Sequence, residues 1–103
     1  NLVNNSISFS PKDGEIKIDA LKIRGKIHVI ISDQGRGIPE GKQGTIFDRF
    51  YSDRPSNEKF GKHSGLGLSI VKQILASHKA KIYADNIYHR NKDIKGAKFT
   101  IIF

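Results

Sequence analysis

The residues of this chain that could do chemistry fall in three places. Asp33 closes an apolar run, Ile27-His28-Val29-Ile30-Ile31-Ser32, and is followed by Gly35, Gly37, Ile38 and Pro39. A carboxylate at a strand end, then a Gly-x-Gly turn, describes a pocket floor. The acid would accept a hydrogen bond from a ligand amine, and the glycines would let the ligand lie against main chain. A charge-assisted bond of that kind contributes roughly 1.5–3 kcal/mol. Downstream, Gly65-Leu66-Gly67-Leu68 opens an apolar-periodic segment after Ser64, a good N-cap type. Glycines there uncover main-chain N–H groups at the positive pole of a helix, which suits an anion such as phosphate. Asn1 and Asn5 are four apart and would stack on one side of a helix. Taken singly, each place also fits a plain structural use: a solvated turn, a glycine-rich helix entry, a polar helix face.

The elements that must position these residues follow from periodicity. Residues 1–10 carry Leu2, Val3, Ile7 and Phe9 near helical spacing, and Pro11 with Lys12-Asp13-Gly14 stops the helix. The pattern begins without an N-cap signal, which predicts further sequence upstream. Residues 15–24 alternate as a half-buried strand with Ile16, Ile18, Ala20 and Ile23 on one side. Gly25 turns the chain into a second strand over 26–32, an antiparallel hairpin. Residues 43–50 predict a short helix burying Ile46, Phe47 and Phe50. Residues 51–63 lack periodicity and read as a lid or binding loop. The clearest helix spans 65–78, with Leu66, Ile70, Val71, Ile74 and Leu75 on one face. A strand over 81–88 turns Ile82, Ala84 and Ile87 inward, a charged hairpin loop fills 89–96, and a final strand covers 97–103. This order predicts an α+β two-layer sandwich, a mostly antiparallel mixed sheet with helices on one face.

Composition narrows the partners. At 103 residues the chain predicts one domain. It has no cysteine, so neither disulfides nor thiolate metal sites enter. No apolar run approaches the ~20 residues of a membrane helix. The net charge of +8, with a pI near 9.9, allows nucleic acid, an anionic membrane or a phosphorylated small molecule. Nucleic acid is the weakest of these, because the cations are scattered and no arginine–aromatic stripe interleaves them. Many sit on solvated strand faces, as do Lys17, Lys22, Arg24 and Lys26.

Four segments, in order, resemble the nucleotide-binding boxes of sensor histidine kinases, members of the Bergerat-fold family shared with type II topoisomerases and heat-shock chaperones. Residues 1–11, beginning Asn1-Leu2-Val3-Asn4-Asn5, resemble the N box, and 33–39 the first glycine box. Ile46-Phe47-Asp48-Arg49-Phe50 resembles the F box, and 65–71 the second glycine box. Gly96 through Phe103 is similar to the closing strand. The resemblance runs over residues 1–103 as one catalytic ATP-binding domain. It implies ATP and Mg²⁺ as ligands, with Asp33 receiving the adenine amine, directly or through a water that Thr100 helps hold. Asn5 is then the Mg²⁺ ligand, Asn1 lies near the phosphates, and Phe9 covers the adenine. Gly35, Gly37, Ile38 and Tyr51 are implied as further nucleotide-binding residues. The amides of Gly65, Leu66, Gly67 and Leu68 cradle phosphate beneath a lid over 51–64.

Several positions depart from that pattern. Ser8 and Ser52 stand where many members carry lysine and arginine. Arg54, Lys62 or Lys12 would then supply the missing charge, with Arg54 the catalytic candidate beside Asn5. His78-Lys79-Ala80 replaces the usual His-Gly-Gly, which predicts a different helix end. The family also carries a strand and most of a helix before the N box. Without them Leu2, Val3 and part of the sheet are expected to be exposed, giving marginal stability or pairing with another copy. The phosphate-accepting histidine belongs to a separate dimerisation domain, and none of His28, His63, His78 or His89 has its acidic setting. The implied activity is γ-phosphoryl donation to that histidine and on to a response regulator, with no nucleic acid partner. The parent would be an inner-membrane sensor with this part cytoplasmic, the membrane entering only through other parts of it. Two alternatives stand beside this: a nucleotide-binding module without transfer activity, and a basic nucleic-acid-binding domain.

Overall fold

The computed structural model of this chain describes residues 1–48 and 67–103. The lid, Tyr51, Arg54, Ser64, Gly65 and Leu66 lie outside the described residues. Within them the order is α1 (Leu2–Phe9), β1 (Lys17–Ile23), β2 (Lys26–Ser32), a 3₁₀ turn (Thr45–Phe47), α2 (Gly67–Ser77), β3 (Lys81–Tyr88) and β4 (Ile94–Ile102).

The strands form one sheet in the order β1-β2-β4-β3, antiparallel at every described pairing. The expected mixed sheet is thus antiparallel among these residues. β4 enters between β2 and β3, so the helical crossover from β2 to β3 creates no parallel neighbours. The β1–β2 hairpin closes on Arg24 at φ 51° and Gly25 at φ 80°. Two left-handed residues are what a two-residue turn matched to strand twist requires. β4 begins at Ile94, earlier than the alternation indicated, and a register shift at Ile87/Tyr88 absorbs the start.

The helices cover one face. α1 packs on β2, and α2 packs on β3, the 3₁₀ turn and α1. Their contact with the sheet is a core of Leu2, Ile31, Ile38, Ile46, Phe47, Ala80, Ala84, Ala97, Phe99 and Ile101. Phe47 meets Phe99 edge-on, ring centroids 6.3 Å apart, which ties the 3₁₀ turn to β4. Leu68, Val71 and Leu75 are the α2 residues packed on this core. Ile70 and Ile74, expected on the same face, are exposed and flank it.

β1 departs from expectation. Ile16 packs against the core, but Ile18 is 58% exposed and Ala20 is exposed too. The described helices lie over β2 and β3, so the apolar side of the edge strand is uncovered. Ile23 follows the parity of Leu21, opposite to Ile18 and Ala20. In β3 the inward series is Ile82, Ala84 and Asn86, not Ile87. Leu2 is buried, against expectation, because α2 and Ile101 close over it, while Val3 is exposed as expected.

Pro11 and the extended Ser10 end α1. α2 ends in a Schellman motif: Ala80 N–H donates to Leu75 C=O at 2.8 Å and Lys79 N–H to Ala76 C=O at 3.0 Å. Lys79 takes the left-handed position at φ 60°, where glycine is usual. The changed sequence thus retains the usual cap geometry.

Candidate functional site

The acid lies at the end of β2 with its main chain tied to β4. Asp33 is 6% exposed, and its N–H donates to Ala97 C=O at 2.9 Å. Its Oδ1 accepts from Gly35 N–H at 2.9 Å and from Ala97 N–H at 3.1 Å. Both of these donors are main-chain amides, and both fall on one oxygen. Two main-chain donors on one oxygen therefore restrain the carboxylate's rotation. A carboxylate held this way binds without the entropy cost of fixing a rotamer.

The glycines serve packing before they serve any ligand. A Cβ on Gly35 would stand 2.5 Å from the Phe9 carbonyl oxygen, so the turn lies directly on the end of α1. Gly37, at φ 80°, has its missing Cβ position filled by Asn86 Oδ1 and Ile94 Cγ2. A Cβ on Gly96 would overlap the Asp33 carbonyl oxygen. The expectation that Gly35 and Gly37 keep space for a ligand is corrected accordingly: their space is taken by protein. Gly67 differs, since nothing described lies within 4 Å of where its Cβ would be.

Phe9 is brought to the acid. Its carbonyl packs on Gly35, and the Arg36 guanidinium lies 4.8 Å from its ring centroid. Asn5 and Asn1 stand one and two turns earlier on the same row of α1, about 6 and 12 Å back along the axis. Asn1 caps the helix by position, without a side-chain cap bond. Asn5 is half-buried. Among the described residues no group of three His, Cys, Asp or Glu gathers for a metal. An amide oxygen such as that of Asn5 is a hard donor, the kind Mg²⁺ takes alongside waters and substrate phosphates.

Two expectations do not fit. Thr100 pairs with Ile30 and Tyr83 and has the parity opposite to Ala97 and Phe99, so its side chain is on the sheet face away from Asp33. The β4 residue beside the acid is Ala97, acting through its main chain. Ile38 is buried in the core, and both its main-chain groups are bonded to Asn86, so it supports the turn from below. Asn86 and Gly96 were the residues sequence reasoning missed. The signal for Asn86 was available, as a polar residue at the inward parity of β3.

With that geometry in place, the chain can be compared with known proteins. The family described as histidine kinase-, DNA gyrase B- and HSP90-like ATPase matches it over residues 1–103. The chain belongs to this ATPase family. The sensor protein ChvG of Rhizobium meliloti (strain 1021) is 41% identical to it over 102 residues, covering 98% of this chain and 18% of ChvG. The sensor histidine kinase WalK of Bacillus subtilis (strain 168) is 34% identical over 90 residues, covering 84% of this chain and 15% of WalK. This histidine kinase-like ATPase chain therefore spans less than a fifth of these relatives' length. Among solved structures, the mycobacterial sensor histidine kinase MprB superposes with a TM-score of 0.82 at 29% identity, covering 99% of this chain and 64% of that one. The catalytic domain of histidine kinase ThkA superposes at 0.77 and 29% identity, covering 99% and 60%. Within the ATPase family, this chain is a catalytic ATP-binding domain of the sensor histidine kinase type, an α+β fold. No described helix is long and apolar enough to cross a membrane.

Proposed function

We propose that this histidine kinase-like domain binds Mg·ATP and presents the γ-phosphoryl group to a histidine on a separate dimerisation domain, which passes it to a response regulator. The observation that carries the reading is the locked carboxylate. Asp33 Oδ1 is occupied by Gly35 and Ala97 amides, and Oδ2 is assigned as the acceptor next to the Phe9 end of α1. A purine amine is a donor of the right kind. From that end the α1 row leads through Asn5 to Asn1, the order in which a nucleotide presents base and then phosphates.

Each residue then has one task. Asp33 reads the adenine amine and Phe9 covers the ring. Asn5 supplies an oxygen to Mg²⁺, which neutralises phosphate charge when bound, and Asn1 lies by the tail. The amides from Gly65 to Leu68 hold phosphate. The space at the Cβ position of Gly67 is open among the described residues, which is compatible with a ligand approaching there. Phosphoryl transfer needs mainly positioning and charge stabilisation, so no nucleophile is required here. Arg54, in the lid with Tyr51, is assigned the catalytic charge that Ser8 and Ser52 do not provide. The parent is read as an inner-membrane sensor holding this domain in the cytoplasm.

Mixing the chain with the histidine hairpin of its parent and γ-labelled ATP tests this. Acid-labile label on the hairpin is expected, and Arg54→Ala should slow its appearance about tenfold or more. A second reading, a nucleotide-binding module without transfer, is favoured by serine at both expected cation positions. Bound nucleotide without any labelled hairpin would establish it instead.

A further inference from the structure

Both ends of the acid–glycine turn are fastened to one rung of the sheet. Asn86 of β3 pairs with Ala97 of β4. Ala97 holds the first end, accepting from Asp33 N–H and donating to Asp33 Oδ1. Asn86 holds the other end by its side chain. Ile38 N–H donates to Asn86 Oδ1 at 2.6 Å, and Asn86 Nδ2 donates to Ile38 C=O at 2.9 Å. The amide thereby imitates an antiparallel strand partner for a residue 48 positions away. Asn86 is 9% exposed, so neither group of Ile38 has water as a ready substitute. The turn must also come this close: the Asn86 oxygen occupies the place where a Gly37 side chain would start. Between the two fastenings lie Gln34, Gly35, Arg36 and Gly37, the segment whose Gly35 amide fixes Asp33 Oδ1.

We infer that Asn86 is a positioning residue for the nucleotide site, setting the turn so that Asp33 presents its second oxygen in one orientation. It does so from below the turn, through Ile38. Asparagine is the side chain that supplies one acceptor and one donor in a single plane at this reach. Aspartate would place an oxygen against Ile38 C=O, and leucine would strand both main-chain groups. The inference rests on the proposal that Asp33 receives the base. It adds that base recognition depends on a β3 residue that touches no ligand.

The experiment compares wild type with Asn86→Ala for ADP and adenosine binding by calorimetry in the presence of Mg²⁺, at a temperature where circular dichroism shows both folded. We expect a loss of about fivefold or more, equal for ADP and adenosine because the defect lies at the base end. Amide exchange at Ile38 should be slow in wild type and at least tenfold faster in the variant. A purely structural role would lower the melting temperature and leave the folded variant's ADP affinity within twofold of wild type, which overturns the inference while the ATP reading stands. Wild type that takes up no ADP overturns both. If Asn86→Ala does not fold, wild-type exchange decides: an Ile38 amide exchanging as fast as that of Gly25 in the exposed hairpin sinks the clamp.

Discussion

The acid end of the sheet and the open side of the helical layer are built on different principles. At the acid end most close approaches are polar or main chain: Asp33 to Ala97, Gly35 to Phe9, Ile38 to Asn86, with Ile94 Cγ2 against Gly37 the apolar exception. The helical layer rests mainly on apolar packing against the core, with the Lys72 ammonium 5.7 Å from the Phe47 ring centroid beside it. A groove of about 340 Å³ runs between α1 and α2, lined by residues including Val3, Val71, Ile74 and Leu75. Ile7 is 58% and Ile74 52% exposed beside it. The difference teaches that this domain concentrates directional bonds around Asp33 and relies more on generic burial between its helices and sheet. Substitutions at the two regions should accordingly differ in kind as well as size.

The largest effect is expected at Gly96. Its Cβ would overlap the Asp33 carbonyl, and backbone cannot step aside cheaply. Gly96→Ala should cost about 3 kcal/mol or more by overpacking, a fall of roughly 12 °C or more in melting temperature for a domain this size. A fall under a few degrees would show the acid end to be plastic. Next comes Lys79→Gly in the Schellman motif, which relieves a left-handed lysine and should raise stability by about 1 kcal/mol, read from urea midpoints. A loss of stability would mean the lysine side chain contributes more than its backbone costs. Ser6 is fully buried in α1 with a hydroxyl that bonds nothing described. Ser6→Ala removes an unmatched polar group at nearly constant volume and should be neutral to stabilising by up to about 1 kcal/mol. The smallest effect belongs to the open side: Ile74→Gln should move stability by no more than about 0.5 kcal/mol. A larger cost would reveal that the groove is covered in solution.

Elements whose pattern is local were legible in the sequence. The α1 stop at Pro11, the hairpin at Gly25 and the alternation of β3 and β4 all follow from neighbours within a few residues. The turn after β2 was legible as a turn, since two glycines and Pro39 follow a strand-like apolar run, although the segment alone fits a solvated turn equally well. What was hidden depends on contacts between distant segments. Thr100 looked suited to the acid because of its hydroxyl, yet strand parity turns it to the other face. Ile18 and Ala20 alternated correctly, but alternation does not say whether a helix lies over an edge strand. The packing role of Gly35 and Gly37 was hidden, and that of Gly96 missed, for the same reason: each lies where another chain segment comes close. Asn86 at an inward position signalled a buried partner without naming Ile38.

The account stands on one acceptor oxygen meeting one purine amine. Calorimetric titration of ADP with Mg²⁺ into wild type and Asp33→Asn tests this most directly. In the variant, the asparagine oxygen would stay with the Gly35 and Ala97 amides, turning its NH₂ toward the base, donor against donor. ADP affinity should fall by about tenfold or more, the equivalent of at least ~1.4 kcal/mol, while circular dichroism and melting temperature stay close to wild type. Equal ADP affinity in the two proteins would contradict the assignment of Asp33 as the residue that reads the base.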